Sequence, residues 1–242
     1  MIEIRHTNKS QNNATREAYN EIYNGKGILL RDSFYLWLID LLKPTPGKLL
    51  LDISCGEGRL PVLAQNKGLK VAGLDFAFAG LRKVAHQAKD VVWITGDGEK
   101  LPFKDQFADY VTHVGSLEHY MNPERGVREI ARVLKPDGKA CVFVPNSFGV
   151  LGNIKHVWLT GDVFDDGQPL QRYASRRQWE TLLEDNGLNI EKTVGYGEIE
   201  PPRTRQDLMW MIRKPQKLLR AVLVLAIPTN LANHFAFICT RA

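Results

Sequence analysis

Leu49-Leu50-Leu51-Asp52-Ile53-Ser54-Cys55-Gly56-Glu57-Gly58 is an apolar run of strand length that breaks into a loop of small residues just ahead of a helical stretch, Leu60 to Lys67. A run this uniformly apolar suits a strand covered on both faces. Gly56 and Gly58 permit positive φ and let a ligand come close to the backbone, and the helix beyond them opens with free N–H groups. That combination describes a nucleotide-type site at a strand-to-helix turn. A dinucleotide fingerprint counted from Gly56 requires glycine at 61, where this chain carries Pro61. Proline fits a first helical turn but not the close helix-to-strand crossing of a dehydrogenase. The bland alternative is a tight turn that binds nothing.

Working outward, further β-branched-rich runs lie at Lys70 to Leu74, Val91 to Thr95, Tyr110 to Val114 and Ala140 to Val144. Helical spacing fills the gaps at Ala79 to Ala88 and Pro123 to Leu134, the latter closed by the turn Lys135-Pro136-Asp137-Gly138. Such alternation specifies an α/β fold with helices on both faces of a parallel sheet. Upstream, Arg31 to Leu42 reads as a helix ended by Lys43-Pro44-Thr45-Pro46-Gly47, so residues 1–47 read as an N-terminal helical cap.

Beyond Pro145 the rhythm loosens. Residues 146–172, rich in Gly, Asp and Asn, read as an insertion after the fifth strand. Ser175 to Asn186 returns to a helix, with Ser175 as N-cap and Gly187 as stop. Two closing strands are expected at Leu188 to Tyr196 and Asn233 to Thr240, separated by a second excursion over 198–232 that opens at Pro201-Pro202. Within it Leu218, Leu219, Val222, Leu223, Leu225 and Ala226 recur at helical spacing beside Arg213, Lys214, Lys217 and Arg220, which predicts a basic amphipathic helix over 213–227. That helix is a lid, a subunit contact or a peripheral membrane contact.

With 242 residues, 44% hydrophobic and 24% charged, the chain can bury one substantial core. A net charge of +5 is dispersed among 27 acidic residues, so nucleic acid is not expected as a partner. Cys55, Cys141 and Cys239 are odd in number and far apart, which argues against a disulfide framework or a zinc site and fits a cytoplasmic setting, and no metal is expected. The polar N-terminus and the lack of a long apolar run speak against a signal peptide or a membrane span.

Two more acids follow strands. Asp75 ends Val71-Ala72-Gly73-Leu74, where a carboxylate can accept from a ribose diol or cap the next helix; Asp97 follows the third strand and can accept from an adenine amine or simply shape a turn. At this point the chain resembles the class I S-adenosylmethionine-dependent methyltransferases, particularly the group similar to the ubiquinone and menaquinone biosynthesis enzymes. The matching segments are LLLDISCGEG, VAGLD, GDGEKLPF, FADYVTHVGSLEHYMNP and REIARVLKPDGKACVFVPN, in family order over about Lys48 to Asn146.

The resemblance implies a Rossmann-like seven-stranded sheet, parallel except for the last strand, over 48–242. It implies S-adenosyl-L-methionine as cofactor, leaving S-adenosyl-L-homocysteine as product. Asp52, Ser54, Gly56 and Gly58 would hold its methionine part, Asp75 the ribose hydroxyls, and Asp97 with Gly98 the adenine, with Cys55, read as filling space, and Phe76 as further cofactor-binding candidates. His113, Gly115 and Ser116 would run along the cofactor. Ser54 stands where the family carries glycine, so a negative φ or a reshaped loop is expected there. His119, just past the fourth strand, is the general-base candidate, with a purely loop-organising role as its alternative. Tyr23, His156, Tyr173, Tyr196 and Arg203 are candidates for contact with the acceptor.

The resulting expectation is a methyltransferase acting on an O, C or S atom of a small-molecule or lipid-like acceptor. Its rivals are a non-catalytic cofactor-binding module of the same fold and a nucleotide-dependent oxidoreductase.

Overall fold

The computed structural model describes residues 1–6, 12–200, 202–203 and 205–242. In chain order it contains β1 (Ile2–Arg5), α1 (Asn12–Asn24), α2 (Asp32–Leu41), β2 (Leu49–Ile53), α3 (Arg59–Asn66), β3 (Lys70–Asp75), α4 (Phe78–Val84), β4 (Val91–Thr95), β5 (Ala108–Val114), α5 (Pro123–Val133), β6 (Leu134–Pro145), α6 (Asn153–Thr160), β7 (Leu170–Tyr173), α7 (Arg176–Glu184), β8 (Leu188–Tyr196), α8 (Arg205–Ile212), α9 (Pro215–Ala226) and β9 (His234–Arg241).

Seven strands form one sheet in the order β4-β3-β2-β5-β6-β9-β8. The pairs β2–β3, β2–β5, β3–β4 and β5–β6 are parallel, and β9 runs antiparallel to both its neighbours. The chain therefore steps from β2 to one side and later to the other. Open α/β sheets place their crevice at such a reversal, outside the strands' carboxyl ends.

Period-two alternation divides β2 between two cores: Leu51 and Ile53 pack with Val127, Ile130, Trp179 and Phe237, while Leu50 packs with Phe34, Leu38, Leu60 and Val71. Trp179, fully buried, donates its indole N–H to the Pro145 carbonyl at 2.8 Å. Ser175 caps α7 in a reciprocal box with Gln178, and Gly187, at φ +94°, follows that helix.

Three local expectations are corrected. The Lys135-Pro136-Asp137-Gly138 segment does not precede a strand. It lies inside β6 as an irregularity of register, because buried Leu134 already pairs with Ala108. The 146–172 insertion is not irregular throughout: it holds α6 and β7, and β7 pairs antiparallel with β1 in a separate two-stranded sheet. The N-terminal cap accordingly includes a strand besides its helices. The helix expected over 213–227 is α9, opened by Pro215, and a separate helix, α8, precedes it.

On α9, Arg220 turns inward to the Gly197 carbonyl and to Glu198, while Leu225 and Val222 are 88% and 67% exposed. Pro201 and the side chains of Lys217, Leu218 and Leu219 lie outside the described residues.

Candidate active site

The loop after β2 takes the left-handed conformation at Ser54 (φ +59°), Gly56 (+55°) and Gly58 (+70°). The expectation of a negative φ at Ser54 is thus overturned. The left-handed backbone costs a side-chain-bearing residue roughly 1–2 kcal/mol, and the Ser54 hydroxyl offsets part of it through a 2.9 Å hydrogen bond with the Tyr120 hydroxyl. Cys55 donates its N–H to the Leu74 carbonyl at 2.9 Å, which ties the loop to β3. A β-carbon on Gly58 would lie 2.4 Å from the Trp93 ring, so this glycine serves the close packing of helix on sheet.

Asp75, buried at the end of β3, accepts the Gly56 N–H at 2.7 Å on one oxygen and the Ala77 N–H at 2.8 Å on the other. It holds the glycine loop and the start of α4 together. Burial pushes its pKa up to about 6 against those two bonds. Asp52 accepts from the Thr112 hydroxyl at 2.6 Å, and burial, aided by the nearby Asp75, pushes it up to about 7. Asp97 accepts the Glu99 N–H at 2.9 Å.

These residues open onto one cavity of about 270 Å³ at the carboxyl ends of β2, β3 and β5. Of the residues singled out from sequence, Tyr23, Asp52, Ser54, Cys55, Gly56, Asp75, Phe76, Asp97, Gly98, Gly115, Ser116 and His119 line it. The others stand elsewhere. Gly58 packs against Trp93, and His113 is buried in β5 with its ring 5.0 Å from that of Tyr120, edge to face. His156 and Tyr173 line a neighbouring cavity, and Tyr196 lines a third. Arg203 lines none of the three and is bound to Asp40 through an ion pair. Cys55 remains a thiol, its pKa raised by burial and by the two nearby aspartates, so nothing favours it as a nucleophile.

His119 is buried beside the cavity, and its Nδ1–H is donated to the Leu170 carbonyl of β7. A carbonyl only accepts, so Nε2 is left without a proton, 4.0 Å from Glu118 Oε1. Burial holds His119 below its ordinary pKa and therefore neutral.

Tyr120 and His234 are cavity residues that the sequence reading did not single out. Tyr120 follows the Leu117-Glu118-His119 turn without any motif of its own. His234 opens β9, 115 positions beyond His119 by subtraction of the residue numbers, and carries no local signal.

The charge balance of the cavity is one-sided. Asp52, Asp75, Asp97, Glu99 and Glu118 line it, and no lysine or arginine does among the described residues. Glu118 is the most perturbed, pushed up to about 8 by burial, with Asp166 adding to the shift. Such a wall repels a pyrophosphate and favours a ligand that brings positive charge.

Residues 51–142 match the family described as a methyltransferase domain. Over that stretch the chain is similar to a methyltransferase domain. A demethylmenaquinone methyltransferase of Renibacterium salmoninarum is 33% identical over 105 residues, 43% of this chain and 44% of that protein. This chain spans less than half the length of the first curated relatives it matches. An uncharacterized methyltransferase of Mycobacterium tuberculosis is 25% identical over 225 residues, covering 88% of this chain and 90% of that one. Among solved structures, a Haloferax volcanii methyltransferase in complex with the Trm112 activator superposes with a TM-score of 0.66 at 18% identity, over 92% of this chain and 97% of that one.

S-adenosyl-L-methionine is the methyl donor of this domain family. The site fits that group. The cofactor's sulfonium and ammonium would meet an acidic cavity lined by no lysine or arginine among the described residues, and a β-carbon on Gly56 would crowd the Tyr23 hydroxyl at 3.0 Å on the cavity wall. No group of three His, Cys, Asp or Glu is placed to hold a metal ion among the described residues.

Proposed function

We propose that this protein is an S-adenosylmethionine-dependent methyltransferase that transfers a methyl group to an O, C or S atom of a small-molecule or lipid-like acceptor by direct displacement. The observation that carries this reading is the glycine loop facing five carboxylates with no lysine or arginine among the described lining. The cofactor, when bound, supplies a methyl group already activated by its sulfonium. What the chain must add is orientation, exclusion of water and a place for the acceptor's proton.

In this reading Asp52, Ser54 and Gly56 hold the methionine part. Asp75 keeps lone pairs free, beyond its two backbone partners, for the ribose hydroxyls. Asp97 and Gly98 receive the adenine. His119 is the base, oriented by Leu170 so that an unprotonated Nε2 is available. Calorimetric titration tests the core of the proposal: S-adenosylmethionine and S-adenosylhomocysteine should bind and NAD should not. Binding of NAD alone would restore the oxidoreductase reading. Cofactor binding without turnover on phenolic, quinone-like, sugar or fatty acceptors would favour the non-catalytic one.

We further propose that the second excursion rests on an anionic membrane surface and brings the site to an apolar acceptor. Val222, Leu223 and Leu225 on α9 and Leu208, Met209 and Ile212 on α8 are exposed, beside exposed Arg213 and Lys214. Trp158 on α6 is 82% exposed. No helix among the described residues is long and apolar enough to cross a membrane, so the contact would be peripheral.

A further inference from the structure

A second cavity, of about 360 Å³, adjoins the first and shares Glu118 and His234 with it. Its remaining walls come from α6, the segment leading into β7, and the start of β9, where Lys155, His156, Phe164, Asp166, Gln171 and Tyr173 face it.

Three observations set the chemistry of this space. Glu118 is only 5% exposed, and its Oε2 has no hydrogen-bond partner. Asp166, an exposed carboxylate on the same wall, accepts the backbone N–H of Gln168 on one oxygen and its side-chain amide on the other, at 2.9 and 2.8 Å, and has no cation paired with it among the described residues. Gln171, buried on β7, presents a second unpartnered oxygen, its Oε1. The other carboxylate of the wall, Glu198, is already neutralised by Arg220 at 2.9 Å and by the Asn233 amide at 2.7 Å. Lys155 is exposed and is the sole lysine or arginine among the described lining residues.

A buried oxygen left without a donor costs stability unless a ligand supplies one. Here two such oxygens, on Glu118 and Gln171, line one cavity next to the reacting site, and the exposed carboxylate of Asp166 lines it with them. An ammonium group carries several N–H donors and a positive charge, and so supplies both the missing donors and a counter-charge to the carboxylates. An alcohol of the same shape supplies a single donor and no charge. Edge-to-face packing of His156 on Phe164, 5.4 Å between ring centroids, adds an aromatic wall for the carbon skeleton behind such a group.

We propose that the second cavity is the acceptor subsite and that it selects an acceptor bearing an amine or ammonium group, held by Glu118, Asp166 and Gln171. The inference rests on the methyltransferase reading of the first cavity. The ammonium is the recognition handle, and the methylated atom lies toward the shared wall at Glu118 and His234.

The test is a ligand-observed NMR titration of benzylammonium chloride against its neutral isostere benzyl alcohol, with and without S-adenosylhomocysteine. Benzylammonium should bind about tenfold more tightly than the alcohol, a difference of about 1.4 kcal/mol. Glu118→Gln and Asp166→Asn should each reduce that preference. Asp166 lies in the segment before β7, outside both sheets, so D166N tests the idea even if E118Q fails to fold. Equal affinity of the two probes for the wild type, or a preference unchanged in D166N and in folded E118Q, would overturn the subsite. Absence of any S-adenosylhomocysteine binding would instead sink the methyltransferase reading, and the probe comparison would still report on the cavity.

Discussion

The Tyr120 hydroxyl occupies the space above Gly98: a β-carbon on residue 98 would lie 1.8 Å from that oxygen, which in turn bonds to Ser54 at 2.9 Å. Three segments of the cavity, the loop after β2, the loop after β4 and the turn after β5, are thereby locked together by one phenol. Gly98→Ala must displace the Tyr120 ring and break the Ser54 bond, so we expect a loss of roughly 1–3 kcal/mol of stability. Chemical denaturation of the variant, with S-adenosylhomocysteine titration alongside, checks both the fold and the site. An unchanged midpoint would mean that Tyr120 moves freely.

Asp75 has two functions that substitution can separate. Asp75→Ala strands the Gly56 and Ala77 N–H groups at roughly 1–3 kcal/mol each, so its melting temperature should fall. Asp75→Asn keeps one oxygen acceptor and loses the charge. In that variant S-adenosylmethionine affinity should drop roughly tenfold to a hundredfold while much of the stability survives. Calorimetry that finds full affinity in D75N removes Asp75 from the cofactor's contacts.

For His119→Ala, turnover should fall about a hundredfold with S-adenosylhomocysteine affinity within a few-fold of wild type, once an acceptor is found. Wild-type turnover would assign His119 to the loop alone.

Stability should decline as pH rises above 6.5. Asp52 and Glu118 are raised from 3.8 to about 7 and from 4.5 to about 8, so the folded chain keeps protons that the unfolded chain has already lost. Their stabilisation is complete below the unfolded values and is lost as pH climbs through the folded ones. His113 and His234 act in the opposite sense, lowered from 6.5 to about 3 and about 4, and withdraw stability only as pH falls below 6.5. Thermal melts of the cofactor-free protein at pH 6.5 and 8.5 should differ by a few degrees, and Glu118→Gln should flatten the slope. A melting temperature that rises across that range contradicts the assignment.

Sedimentation with anionic and neutral vesicles probes the exposed faces of α8 and α9. Binding should favour anionic vesicles at low salt and should be lost in Val222→Glu/Leu225→Glu. If wild type and variant bind neither kind of vesicle, the membrane contact is wrong and a lid or subunit interface remains.

What could be read from the sequence was what short-range physics writes there. Leu49 to Ile53 announces a doubly covered strand, Gly56 a positive φ, and Ser175 with Gln178 a helix start, because each depends on residues a few positions apart. Tyr120 against Gly98, His234 beside Glu118, and β1 on β7 depend on pairs brought together only by the finished fold. No local pattern encodes them. Ser54 shows the converse: its left-handed backbone contradicts its own preference because a distant phenol rewards it. Arg220 was legible as a cation on an amphipathic helix, yet its partner Glu198 lies in a separate segment, and that pairing turns it away from solvent.

The pairing of β1 with β7 joins residues 169 positions apart, as the Arg172–Glu3 ion pair records. Closing so long a loop is entropically expensive and waits until the intervening sheet has formed. Its four exposed or half-buried β1 residues add little burial in return. The clasp is therefore among the last parts of the molecule to assemble and among the first to open, ahead of any loss of the sheet. Because the Leu170 carbonyl that orients His119 sits in this clasp, the proposed base would lose its orientation before the sheet unfolds, so under that proposal activity and global folding follow different equilibria.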